Sequence, residues 1–156
     1  MIGVVQRVSR AEVRVKGKLI SRIEHGALLL VGIARGDSAE DAAYIVQKTA
    51  NLRIFSDENG NLNRSLIDVN GSILVVSQFT LLGSTRKGRR PSFTQAASPD
   101  EAEALYRQVL GEFRKLDITV KEGVFGAMME VDLTNDGPVT LLLNSLEKTQ
   151  KNEKMR

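Results

Sequence analysis

The 156-residue chain contains no cysteine, one histidine (His25) and only 4% aromatic residues. Without cysteine there can be no disulfide framework, thiolate zinc site or cysteine nucleophile, and an intracellular protein is the natural expectation. A single imidazole argues against a transition-metal site and leaves a Ser-His-Asp triad only if His25 supplies it. The scarcity of aromatics gives little material for the stacking platforms on which RNA-binding modules hold unpaired bases. Long apolar runs are also missing. The longest, residues 27–34, includes Gly32 and falls far short of a bilayer span. The opening Met1-Ile2-Gly3-Val4-Val5-Gln6-Arg7 has no basic region followed by an apolar stretch and cleavage site, so the expected location is the cytoplasm, with no membrane partner. A net charge of +3 does not announce a nucleic-acid binder; the distribution of charge matters more than its sum.

What is present describes an ordinary globular chain, with 42% hydrophobic and 26% charged residues. A chain of this length buries roughly 68–70% of its unfolded surface and needs no staple. One domain over 1–146 is expected, followed by a polar, flexible tail over 147–156. Valine-rich runs at 2–8 and 11–15 predict two strands. Lys16-Gly17-Lys18 turns the chain into a third at 19–23, giving an antiparallel meander. Arg7 and Arg10 interrupt the first strands and read as solvent-facing charges. His25-Gly26 makes a turn before the nearly all-apolar strand 27–34, which is expected to be central.

Ser38 begins a helix with Asp41 completing an approximate capping box, and Ala42, Ile45, Val46 and Thr49 share one face. Arg53-Ile54-Phe55 reads as a short strand. Asp57, Glu58 and Asp68 lack the spacing of a calcium loop and read as turn residues. Ser98-Pro99-Asp100-Glu101 is a helix start, and Ala102, Leu105, Tyr106, Val109, Leu110, Phe113 and Leu116 recur at helical spacing. Strands are expected at 124–133 and 139–143, joined by a turn at Asn135-Asp136-Gly137-Pro138. The architecture is therefore α+β: mostly antiparallel, barrel-like mixed sheet with two main helices packed on it.

Three features carry candidate chemistry. Residues 72–76 form a β-branched apolar run, but Ser77, Gln78 and Thr80 follow where the core pattern has just ended. Such groups need partners or a purpose, so they either hydrogen-bond locally at the strand terminus or form a site. Next, Arg86, Lys87, Arg89 and Arg90 place four cations in five residues, which is either a solvated loop or a seat for phosphate or RNA. Last, Gly137 tolerates unusual backbone angles and Pro138 permits a cis bond, though an ordinary trans Gly-Pro turn is the commoner reading.

Taken together, Gln6-Arg7-Val8, Arg53-Ile54-Phe55-Ser56-Asp57, Val75-Val76-Ser77-Gln78-Phe79-Thr80-Leu81, Arg90-Pro91-Ser92-Phe93, Ala97-Ser98-Pro99 and Asn135-Asp136-Gly137-Pro138-Val139-Thr140 resemble the D-aminoacyl-tRNA deacylases of bacteria and eukaryotes. The resemblance covers nearly the whole chain. It implies a homodimeric proofreading hydrolase that cleaves the ester of D-aminoacyl-tRNA or glycyl-tRNA and spares L-aminoacyl esters, with no cofactor and no metal. It further implies that each site lies at the subunit interface, where a cis Gly137-Pro138 turn of one subunit meets Ser77, Gln78, Phe79 and Thr80 of the other. By the same resemblance, Arg7 anchors the turn, Phe79, Phe125 and Met129 line the adenosine pocket, and the Gly137 and Pro138 carbonyls reject an L side chain.

The residues themselves bear on the mechanism. Neither Ser77 nor Thr80 has an evident general base, so a covalent acyl-enzyme is not expected. Backbone N–H groups at Phe79 and Thr80 can stabilise an oxyanion, and the family's catalysis leans on the terminal ribose 2′-hydroxyl. Two alternatives remain open at this point: a serine or threonine esterase acting on small esters, and a non-catalytic RNA-binding module.

Overall fold

The computed structural model describes residues 1–148; the rest of the expected tail, 149–156, lies outside the described residues. Strand β1 (Ile2–Val15) runs unbroken through Ser9 and Arg10, where two strands were expected. Residues on either side of them pair on both edges and Arg10 stands opposite Thr134 of the last described strand, so tertiary context outweighs the weak local propensity. Strands β2 (Lys18–Ile23) and β3 (Gly26–Gly32) lie end to end along one edge of β1, with Val15 opposite Lys18, Val8 opposite Gly26 and Ile2 opposite Gly32. The start of the fold is therefore one long hairpin rather than a meander. Its turn uses Lys16 and Gly17, at φ 50° and 75°.

Helix α1 (Ala39–Asn51) starts at Ser38, whose backbone N–H donates to Asp41 Oδ2 at 2.8 Å. Two short strands, β4 (Phe55–Ser56) and β5 (Leu62–Arg64), form a separate ribbon. The expected strand at Arg53-Ile54-Phe55 thus begins two residues later. Asp57 Oδ1 accepts from the N–H groups of Asn59 and Asn61, at 2.9 and 3.0 Å, which is the turn role expected of it. Strand β6 (Ser72–Ser77) lies parallel to β3, and β7 (Val120–Glu122) parallel to β6.

Helix α2 (Pro99–Lys115) begins as its capping residues predict, with Ser98 Oγ accepting from Glu101 N–H at 3.4 Å. Strand β8 (Glu130–Asn144) pairs along the other edge of β1. Residues 124–129, expected as strand, form a loop. Gly126 sits at φ 77° and Ala127 N–H bonds back to Val124 O at 3.2 Å, a local turn that a strand cannot accommodate.

The sheet order is β2-β1-β3-β6-β7, with β8 on the far side of β1. A bond from Ser21 Oγ to Glu122 O, 2.8 Å, ties β2 to β7 and helps curl the sheet into a nearly closed barrel. Two sets of core residues result. Val5, Leu29, Ile73 and Val75 pack against Ile45, Tyr106, Val109 and Phe113 of the helices. Val8, Ala11, Val13, Leu28, Leu74 and Val76 form the second set, with Met129, Val131 and Leu133 packed against it. Because both faces of β3 and β6 are covered, their sequences read as apolar runs without alternation. No helix among the described residues is long and apolar enough to cross a membrane.

Candidate active site

Ser77 pairs with Val31 of β3, and the next residue, Gln78, donates its N–H to Val31 O at 2.8 Å. There the strand stops. Phe79–Leu82 form one turn of 3-10 helix, which crosses close over Gly32. A Cβ at Gly32 would lie 2.9 Å from Gln78 O and 2.5 Å from Leu82 Cδ2, so only glycine permits this approach. The Gln78 side-chain amide donates to Thr80 Oγ1, which fixes both polar groups. Phe79 and Thr80 are exposed, and as first-turn residues their N–H groups have no partner within the turn. The strand end therefore presents backbone donors beside an anchored carboxamide and hydroxyl.

Phe125 and Met129 gather at the same end of β6. Gly123 N–H donates to Val75 O at 3.3 Å, bringing the 124–129 loop alongside the strand. Met129 Sδ accepts from Val124 N–H at 3.4 Å, and Phe125 packs on Tyr106 with ring centroids 5.7 Å apart. Tyr106, which the sequence marked only as core, also donates its buried hydroxyl to Val75 O at 2.8 Å. Burial and the nearby Glu122 carboxylate push its pKa up, so it stays a neutral donor. A cavity of about 280 Å³ opens between α2 and β7, lined by Glu103, Tyr106, Arg107, Glu122, Val124 and Phe125.

Gly137 and Pro138 lie elsewhere. They were expected in a turn between two strands, but they form a bulge within the continuous strand β8. Gln6 faces Thr140 and Val8 faces Asn135, so residues 136–139 all stand opposite Arg7. The Gly137-Pro138 bond is cis, Gly137 has φ 149°, and both residues are exposed. Arg7 holds the bulge in place: Nε donates to Asp136 O at 2.7 Å and Nη1 to Ile54 O at 2.8 Å. Its side chain is only 12% exposed, whereas Arg10 is 40% exposed. The expectation of two solvent-facing arginines thus fails for Arg7, whose guanidinium is drawn inward by the Asp136 carbonyl of the bulge and the Ile54 carbonyl before β4.

Asn135 spans the bulge from within, accepting from Val139 N–H at 2.8 Å and donating to Val139 O at 3.2 Å and Thr140 Oγ1 at 3.0 Å. Its position before Asp-Gly-Pro suggested turn chemistry but gave no sign of this bridging. Arg7 and Asp136 also line a cleft of about 250 Å³ with His25, Phe55, Ser56 and Val69.

A single chain does not bring these two places together. Arg7 sits opposite Ala27 on β3, while Ser77 pairs with Val31, four residues further along that strand. At strand rise this is a separation of roughly 13 Å along the sheet. The basic loop, by contrast, adjoins the strand end. Ser84 and Ser92 exchange N–H···O bonds of 2.7 and 2.9 Å at its neck, and Phe93 packs edge-on against Phe79 with centroids 5.1 Å apart.

A family model described as D-Tyr-tRNA(Tyr) deacylase matches residues 4–144. The chain belongs to the D-Tyr-tRNA(Tyr) deacylase family. Among its relatives, a D-aminoacyl-tRNA deacylase of Thermosipho africanus is 52% identical over 145 residues, covering 93% of this chain and 97% of the relative. One of Thermus aquaticus is 52% identical over 148 residues, covering 95% and 97%. The solved structure of a c-Myc DNA unwinding element binding protein superposes with a TM-score of 0.87 at 42% identity, over 92% of this chain and 98% of that one. A probable eukaryotic D-amino acid tRNA deacylase shares the fold, with a TM-score of 0.77 at 20% identity over 91% and 97%.

Proposed function

We propose that the chain hydrolyses D-aminoacyl-tRNA, and glycyl-tRNA, to free amino acid and tRNA, in a site completed by a second copy of itself. Family membership and the names of the relatives support the deacylase activity. The observation that carries the rest is the separation just described: an exposed, firmly anchored Gly137-Pro138 bulge and an exposed donor-rich strand end that one protomer keeps apart. In a homodimer the bulge of one subunit fills the open side of the other's strand end. The β8 edge supports such pairing, because among the described residues β8 pairs only with β1 and leaves its other edge open, and Leu142 on it is 76% exposed.

In this site the Gly137 and Pro138 carbonyls face the substrate amino group and leave no room for an L side chain, while a D side chain points outward unread. Water attacks the ester carbonyl carbon, the bond to the ribose 3′ oxygen breaks, and that oxygen leaves with a proton. The Phe79 and Thr80 N–H groups stabilise the oxyanion, each such donor being worth about 3–4 kcal/mol. The 2′-hydroxyl of the terminal ribose positions the water. A serine or threonine nucleophile finds no support: the partner of Thr80 Oγ1 is the Gln78 amide, a donor and not a base, and His25 lies beside Ser72, five residues along β6 from Ser77, roughly 16 Å away.

Matched D- and L-tyrosyl-tRNA, together with D-tyrosyl-tRNA ending in 2′-deoxyadenosine, test this reading. Rapid loss of the D ester alone, and slow loss of the deoxy substrate, is the expected result. Equal cleavage of both hands removes the proofreading role, and full activity on the deoxy substrate removes the 2′-hydroxyl from the mechanism.

A further inference from the structure

We propose that the loop 84–92 is a seat for the phosphates of the unpaired 3′ strand that carries the aminoacyl ester, and that Phe93 transmits this seating to the site through Phe79. The proposal rests on the deacylase reading above and names the part of the substrate that one loop engages.

Outside the loop, seven of the nine described arginines are neutralised locally, and the other two, Arg35 and Arg53, donate to Ala96 O and Asn63 Oδ1. Arg7, Arg10, Arg14, Arg22, Arg64, Arg107 and Arg114 each lie within 4 Å of a carboxylate. Arg86, Lys87, Arg89 and Arg90 differ: all four are exposed and none forms an ion pair with a described residue. Gly88, at φ 67°, turns the chain between the two halves of this cluster. Four uncompensated cations on one small loop make a site for a polyanion, and their gain comes from releasing that polyanion's counterions.

Position identifies which part of the RNA it meets. The neck of the loop is closed by the paired Ser84 and Ser92 backbones, immediately after the turn that carries Phe79 and Thr80. From neck to tip is four residues, a reach of roughly 13 Å at strand rise, which extends from the ester only as far as the nearest few nucleotides. Those nucleotides are unpaired at a tRNA 3′ end.

Phe93 joins the two functions. It directly follows the neck, its ring meets that of Phe79 edge-on, and a Cβ at Gly83 would lie 2.8 Å from Phe93 Cε1. The glycine thus lets Phe93 sit flush under the one-turn helix. A displacement of the loop is passed to the backbone that presents the Phe79 and Thr80 amides, which makes Phe93 a positioning residue.

The test compares D-tyrosyl-tRNA with 3′-O-D-tyrosyl-adenosine, which keeps the ester and the terminal nucleoside but has no phosphate. Replacing all four cations by glutamine is expected to raise KM for the tRNA ester about tenfold more than for the nucleoside ester. The same change should flatten the salt dependence by about 0.7 in log–log slope for each phosphate no longer held. Phe93→Leu is expected to lower kcat on the tRNA ester severalfold more than on the nucleoside ester and leave the salt slope as it was. A glutamine variant with the parent's KM and salt slope on tRNA overturns the phosphate seat. Parental kcat in Phe93→Leu, or an equal loss of kcat on the two esters, overturns the transmission. If the unmodified protein cleaves neither ester, the deacylase reading itself has failed, and the proposal with it.

Discussion

Arg7 and Asp136 are joined by a 2.7 Å bond from Nε to the Asp136 backbone carbonyl, and the same guanidinium reaches Ile54 O at 2.8 Å. One side chain therefore ties the β8 bulge to the ribbon entered at Phe55. Lysine, a point donor on a flexible stem, cannot span both carbonyls in a fixed fork. Arg7→Lys is expected to cost about 1.5–3 kcal/mol, the range for a hydrogen bond to a charged group. It should also raise cleavage of L-tyrosyl-tRNA relative to the D ester. Thermal melting and paired D- and L-ester assays check the two halves of that statement.

Asn135 supplies the bulge with the partners that strand pairing does not. Asn135→Ala leaves the Val139 N–H without its 2.8 Å acceptor, an unmet donor costing about 1–3 kcal/mol. Asn135→Asp keeps that acceptor but cannot donate to Val139 O and Thr140 Oγ1, so urea unfolding should place it between the parent and the alanine variant.

Asp41 makes stability depend on acid. Burial raises its pKa, but hydrogen bonds from Lys148, Ser145 and the Ser38 N–H outweigh that effect and hold the carboxyl well below the usual range. A depressed folded pKa contributes stability that is present above the unfolded value, about 4, and is lost as the pH falls from there toward the folded value. Asp41→Asn cannot titrate. Its melting temperature should be lower than the parent's at neutral pH, and the gap should narrow below about pH 4.

Two glycines make opposite predictions. A Cβ at Gly26 would lie 1.8 Å from Ser72 O, at the start of the parallel β3–β6 pairing, so Gly26→Ala forces these strands apart. Its cost should exceed about 3 kcal/mol, beyond the usual range for single substitutions. Gly111 lies inside α2 with nothing within 4 Å of an added Cβ, so Gly111→Ala should stabilise the protein by about 0.4–1 kcal/mol. Denaturant midpoints of the two variants decide both.

The elements that were legible in the sequence are those set by local chemistry. Ser98 and Pro99 mark the start of α2, and the apolar run before Ser77 marks β6 and its end. The errors arose where distant residues decide the local structure. Phe125, Met128 and Met129 look like strand residues, yet Gly126 turns the chain and Met129 folds back on Val124. Asp136-Gly137-Pro138 has the composition of a hairpin turn. Only its register against Arg7, some 130 residues earlier, makes it a bulge in a continuous strand. Arg7 was read as a solvent charge for the same reason, since the carbonyls that draw it inward belong to segments far along the chain. The family resemblance grouped Ser77–Thr80 with Gly137-Pro138, and that a single chain holds the two apart along β3 is a property of strand register.

A shared site requires that the Gly137-Pro138 bulge of one copy completes the Ser77–Thr80 end of another, and the absence of cysteine allows a clean test. Single variants Pro138→Cys and Thr80→Cys are prepared separately, mixed, allowed to exchange subunits, and treated with a short bismaleimide. The expected product is a covalent dimer that forms efficiently only in the mixture and is linked between residues 138 and 80. A mixture that gives no more covalent dimer than either variant alone contradicts the shared site.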